Sequence, residues 1–190
     1  MSETNGVDYG PLVHLIGVWQ GDKGVDVAPT PDGESNIAYH ETIRYQAIGD
    51  VTNAGVQTLS VLHYRQIVQR KEDGEVFHDE TGYWMWDAGN QQVIHSLTIP
   101  RAVCVLAGGD YSREGESITI NVAASVDDPH WNILQSPFMN DNARTIEFRQ
   151  SLSVSQGRLS FKETTVLDIY GKRFDHTDEN ELIKCPDDQN

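Results

Sequence analysis

From residue 37 onward the chain alternates apolar and polar side chains with a period of two, and the pattern recurs between closely spaced turn signals as far as residue 184. Over residues 37–47, Ile37, Tyr39, Ile43, Tyr45 and Ala47 share one face while His40, Thr42, Arg44 and Gln46 share the other. That is the spacing of an extended strand with one side in a core. Glu41 breaks it, a carboxylate on the apolar face, and an inward carboxylate must find donors because burying it bare is costly. Further runs follow at 56–69, 76–87, 91–99, 101–107, 117–124, 144–154, 159–169 and 173–184. Turn signals separate them: Glu72-Asp73-Gly74, Ala88-Gly89-Asn90, Gly108-Gly109-Asp110, Arg113-Glu114-Gly115, Gln156-Gly157 and Tyr170-Gly171-Lys172. With a strand around Trp19 this makes about ten antiparallel strands in an all-β chain, an up-and-down lipocalin-like barrel or a sandwich, and we expect the barrel. A barrel of that size has more interior than its inward side chains fill, so we expect one small-molecule ligand inside it.

Three segments depart from the alternation. Residues 9–16, YGPLVHLI, read as a short helix or 3₁₀ turn able to close one end of the barrel. Residues 127–142 carry Trp131, Ile133, Leu134, Phe138 and Met139 around two prolines, a loop with a short helix packed over an opening or flank, or a loop anchored by its own apolar residues. Pro100, after Thr98 and Ile99, marks an edge or a turn. With 190 residues and this even texture, one domain spanning 1–190 is expected, with its core at about 10–185.

Charge narrows the partners. The 29 acidic side chains outnumber the 14 basic ones, for a net charge of −15. That field repels phosphate backbones and anionic lipid, so neither nucleic acid nor membrane is an expected partner. A homodimer is compatible with it. The first ten residues lack the basic and apolar regions of a signal peptide, and no apolar run reaches the ~18 residues of a membrane span, so a cytoplasmic location is expected. Cys104 and Cys185 then read as free thiols.

Three local patterns could carry chemistry. GVWQGDKG, residues 17–24, places glycines at 17, 21 and 24 around Trp19, permitting close backbone approach beside a ring that can plug the barrel end. HDETGY, residues 78–83, puts His78, Glu80 and Gly82 on one strand face. RFDHTDEN, residues 173–180, aims Phe174 and His176 the same way, and a lone imidazole in an apolar cavity can supply one axial bond to heme iron. Each also has a plain structural reading, as a core tryptophan, a self-satisfied acid and a rim histidine. His78 and Glu80 with His176 and Asp178 would alternatively offer the two-His-plus-carboxylate set of a non-heme iron site, if the two strands face each other. No nucleophile elbow, P-loop or dinucleotide fingerprint is present.

GVWQGDKG resembles the GxWxGxG signature of the nitrobindin family, small heme-binding barrels shaped like fatty-acid-binding proteins. HDETGY resembles that family's H-x-E-x-G-aromatic strand, and Asp175-His176 falls where the family places its proximal histidine. The similarity runs in order from about Leu12 to Lys184. It departs where Lys23 takes the place of the third glycine and where TDENE, after His176, is more acidic and one residue longer. The resemblance implies heme b bound through His176 as metal ligand, with Gly17, Trp19 and Gly21 of the opening motif at the cofactor site. Lys23, Arg101, Lys172 and Arg173 are the candidates to hold the propionates. It also implies nitric oxide binding or isomerisation of peroxynitrite to nitrate. The alternative is a heme-free carrier or sensor of an apolar small molecule such as a fatty acid, with the Val103–Leu106 run as a lining wall.

Overall fold

A computed structural model describes residues 3–186. Two short strands, β1 (Glu3–Thr4) and β2 (Val7–Asp8), pair with each other and lead into a 3₁₀ turn, Gly10–Leu15. The barrel strands then follow in chain order: β3 (Gly17–Gly21), β4 (Val25–Thr30), β5 (Gly33–Asn53), β6 (Gln57–Arg70), β7 (Val76–Asp87), β8 (Gln92–Ile99), β9 (Val103–Glu114) and β10 (Ser117–Ser125). After them come β11 (Ile133–Gln135), helix α1 (Pro137–Asn142), β12 (Ala143–Ser155), β13 (Arg158–Ile169) and β14 (Lys172–Lys184). β3 and β4 together fill one position, β11 extends the β10 position alongside β9, and β10 pairs with both β9 and β12. The result is the expected closed, ten-stranded antiparallel barrel.

The elements follow the alternation closely. On β5, Tyr39, Glu41, Ile43 and Tyr45 are buried, and on β10, Ile118, Ile120, Val122 and Ala124 are. The Gly10–Leu15 turn buries Leu12 and Leu15 over one end, where Trp19 donates its indole N–H to the Leu15 carbonyl at 2.6 Å. Trp84, Trp86 and Leu62 pack the barrel above it, so this end is solid. Gly108-Gly109-Asp110, expected as a turn, lies inside β9 instead. At Gly109 a Cβ would stand 1.8 Å from the Asn121 carbonyl oxygen, and at Gly82 it would stand 1.9 Å from that of Ser96. These glycines allow neighbouring backbones to crowd together where the sheet coils, a use of strand glycine that leaves no turn behind. Pro100 does fall in a turn, between β8 and β9. The 127–142 segment contributes both β11 and α1, and its Trp131 ring lies against Gly108 on the flank.

Closure at the split first strand is reinforced from inside. The Glu41 carboxyl on β5 accepts one bond from Gln66 Nε2 on β6 at 2.7 Å and another from Asn180 Nδ2 on β14 at 2.7 Å. Asn180 reaches it past Gly21, where a Cβ would stand 2.6 Å from the Glu181 carbonyl oxygen and 3.0 Å from the Asn180 amide. Three strands are thereby fastened across the seam by one inward acid, the donors that its sequence position demanded.

Two outcomes test this description. Gly82→Ala forces a methyl into the Ser96 backbone, and chemical denaturation should show a loss of about 1–3 kcal/mol; unchanged stability would contradict the crowding. Burial, with the nearby Asp178 charge, raises the Glu41 pKa to about 8 from 4.5 despite its two donors. The folded chain therefore keeps a proton that the unfolded chain releases between those values, so this group's contribution to stability is greatest below pH 4.5 and is lost as pH rises through about 8. Glu41→Gln should flatten the fall in unfolding free energy between pH 5 and 8, and an unaltered slope would contradict it.

Candidate functional site: a carboxyl-lined chamber around His176

The end opposite the 3₁₀ turn is open. His176, Asp178 and Phe174 on β14, Thr165 and Glu163 on β13 and His78 on β7 all stand on the inward faces, yet each is half-buried rather than sealed. Solvent therefore enters the barrel there. The expected apolar hollow is instead lined by carboxyl groups, and the reason is strand parity: Asp26 on β4, Glu41 on β5, Glu80 on β7, Glu163 on β13 and Asp178 on β14 all occupy inward positions. The Val103–Leu106 run does not line a wall as a block, because Val103 and Val105 are buried while Cys104 and Leu106 point outward.

His176 Nε2 lies 2.6 Å from Asp26 Oδ1, a contact made possible by the β4–β14 pairing of Asp26 with Asp178. Tyr39 donates its hydroxyl to Asp178, its ring seated on Gly24, where any side chain would collide with it. Burial raises Asp178 to about 6, against the lowering effect of the Tyr39 bond. Gln150 on β12 donates to Glu163 at 3.0 Å, and burial together with the charges of Glu80, Asp178 and Glu41 keeps Glu163 well above the ordinary glutamate range. Glu41 is accordingly protonated at neutral pH and Glu163 is pushed the same way, so the chamber carries less charge than its five acids suggest.

Glu80 is the opposite case. Burial works to raise its pKa, but the neighbouring His78, 3.5 Å away, and the Tyr64 hydroxyl, 2.5 Å away, outweigh it and hold the carboxyl ionised. His78 moves in the complementary direction, its burial overcome by Glu80 and by the charges of Asp178 and Asp26. Below this pair Tyr64 also meets His95 Nε2 at 2.9 Å, and His95 stacks on Trp84 with ring centroids 3.8 Å apart. Tyr64, His95, Asp26 and Glu163 were not singled out by their sequence context, although the parity that exposed Glu41 also places Glu163 between inward Phe161 and Thr165.

The proposed site residues separate into two groups. His176 and Arg101 stand at the open end, Arg101 exposed in the β8–β9 turn with Nη2 3.5 Å from the Phe77 carbonyl oxygen. Gly17, Trp19 and Gly21 run along the seam toward the closed end. Trp19 pairs with Lys184, eight residues along β14 from His176 and roughly 26 Å away at about 3.3 Å per residue. Gly17 has φ +127°, and a Cβ there would meet the Lys184 side chain at 2.8 Å. Lys23 is exposed and paired with Glu181 at 3.1 Å, and Arg173 with Glu147 at 2.5 Å. Among the described residues no group of three His, Cys, Asp or Glu side chains is placed to hold a metal ion, so the non-heme reading is not realised: His78 turns to Glu80 and His176 to Asp26. No helix among these residues is long and apolar enough to cross a membrane.

Two comparisons extend the geometry. The crystal structure of Rv2717c from M. tuberculosis superposes with a TM-score of 0.68, covering 92% of this chain and 95% of that one at 20% sequence identity, a likeness of fold. No curated protein sequence matches. A family model described as the THAP4-like, heme-binding beta-barrel domain matches residues 8–184, in keeping with the nitrobindin resemblance of the three motifs. The chain belongs to the THAP4-like family of heme-binding β-barrel domains.

Proposed function

We propose that this chain binds heme b in the open chamber, with His176 as the protein ligand to iron. The observation that carries the reading is the aim and partnering of that imidazole. His176 projects inward from the closing strand, and Asp26 engages Nε2, leaving Nδ1 as the other ring nitrogen. A carboxylate on one nitrogen fixes the tautomer and orientation of an imidazole and raises the basicity of the other, the arrangement found behind metal-bound histidines. The donor set therefore fits the group. Arg101 at the mouth would face a propionate, while Glu41, protonated at neutral pH through burial, and Glu163, shifted in the same direction, lessen the charge opposing the porphyrin carboxylates.

Bound ferric heme supplies an iron centre able to take nitric oxide or to turn peroxynitrite into nitrate. The protein orients the imidazole through Asp26, holds the Asp178 carboxyl against Tyr39, and closes the far end with a packed core that keeps water from crossing the barrel. The free thiols Cys104 and Cys185 accord with a reducing, cytoplasmic compartment.

Titration of the full chain with hemin should give a saturable Soret band that His176→Ala abolishes. Asp26→Asn should weaken hemin affinity about 10–100-fold, the usual effect of removing a histidine's outer partner. No band with excess hemin, or the same band and affinity in His176→Ala, would overturn the assignment.

A further inference from the structure

Beneath the chamber, outside the proposed heme ligands, one phenol is held between a carboxylate and an imidazole. Tyr64 on β6 is 2% exposed, and its hydroxyl donates to Glu80 Oε1 at 2.5 Å. A phenol has one proton, so the 2.9 Å contact with His95 must run the other way, from Nε2–H to the phenol oxygen. That assignment explains an orphan: His95 Nδ1 is buried without a partner, and a neutral ring protonated on Nε2 leaves only a lone pair there. The alternative tautomer would bury a bare N–H, the costlier choice. Burial also favours the neutral ring, lowering the His95 pKa to about 4.

Aromatic rings pack around this phenol. Tyr45 stacks on Tyr64 at 5.8 Å, and His95, 5.2 Å away, carries the contact on to Trp84, against which it lies at 3.8 Å and 11°. Trp86 follows on the same face of β7, roughly 7 Å further at strand spacing, and packs edge-on against Tyr111 at 5.4 Å. The sequence of rings leads from the chamber floor to the closed end of the barrel.

We propose that Tyr64 is a redox-active tyrosine that gives up an electron to a one-electron oxidant generated in the chamber from a peroxide, and its proton to Glu80. The step balances: the phenol O–H breaks, its proton forms the Glu80 carboxylic acid, its electron reduces the oxidant, and a neutral tyrosyl radical remains. An ionised carboxylate already bonded to that proton allows both to leave together, avoiding a buried phenol cation. In this role Tyr64 is oxidised, Glu80 accepts its proton, and His95 is the positioning residue.

The test needs no heme, so its outcome is independent of the hemin titration. Photogenerated ruthenium(III) tris-bipyridine serves as the one-electron oxidant of the full chain, with the products followed by transient absorption and by electron paramagnetic resonance after freezing. A long-lived tyrosyl signal should form, fall at least 10-fold in Tyr64→Phe, and form at least 10-fold more slowly in Glu80→Gln, which keeps a bonding partner but removes the base. Because Tyr64→Phe strips two buried groups of a partner, 3-fluorotyrosine placed at position 64 provides a second readout: the hyperfine pattern of the radical should change. An unchanged signal in both altered proteins would assign the radical to exposed Tyr83 or Tyr170 and overturn the proposal, as would equal rates in Glu80→Gln and the native chain.

Discussion

A buried carboxyl group at the seam of the barrel ties down the sparsely paired edge of the strand that carries His176. Glu41 receives an amide from each side, Gln66 on β6 and Asn180 on β14, and spans the place where the first strand is split into β3 and β4. The backbone alone closes that gap weakly: β14 pairs with β3 only at Ile183 and Lys184, and with β4 only over Thr177–Glu179. Asn180 lies between those two contacts. The continuous pairing of β14 with β13 over Lys172–Ile183 fixes its parity from one side, and the Asn180–Glu41 bond ties its other, sparsely paired edge to β5.

The same parity explains why the interior is acidic yet tolerable. Five carboxyl groups share the chamber, and the fold gives them different fates. Glu41 is held protonated at neutral pH and Glu163 is pushed the same way, whereas Glu80, beside His78 and bonded by Tyr64, is held charged. Neutralising some acids and pairing others is the ordinary solution to burying carboxylates, because unpaired charge in a low-dielectric interior is far more costly than a shifted pKa. The barrel thus combines a solid aromatic end, which supplies stability, with a polar, solvent-entered end, where chemistry can occur.

Much of the architecture was legible in the sequence because a period of two leaves little freedom. Ile37 to Ala47 announced β5, the turn residues around Gly74, Gly115, Gly157 and Gly171 announced hairpins, and residues 9–16 announced the plug at the closed end. The Gly108-Gly109 pair misled because close backbone approach and tight turning ask for the same residue. The inward aim of His176 was readable from its alternation with Phe174. Its partner was not, since Asp26 lies 150 residues away and meets it only through the β4–β14 register. Tyr64 and His95 looked like ordinary strand residues for the same reason: their relation to Glu80 is made across strands, where spacing along the chain carries no signal.

What gives the chamber its purpose is the claim that iron sits against the inward face of β14. Anomalous diffraction at the iron edge, from crystals of the hemin-loaded chain, reports that position without relying on spectra or on variants that could misfold. The account predicts a single strong peak inside the open end, within bonding distance of the His176 ring, with Asp26 still on the far nitrogen. A peak on the outer wall, or a chamber filled by its own side chains with the porphyrin elsewhere, would contradict it.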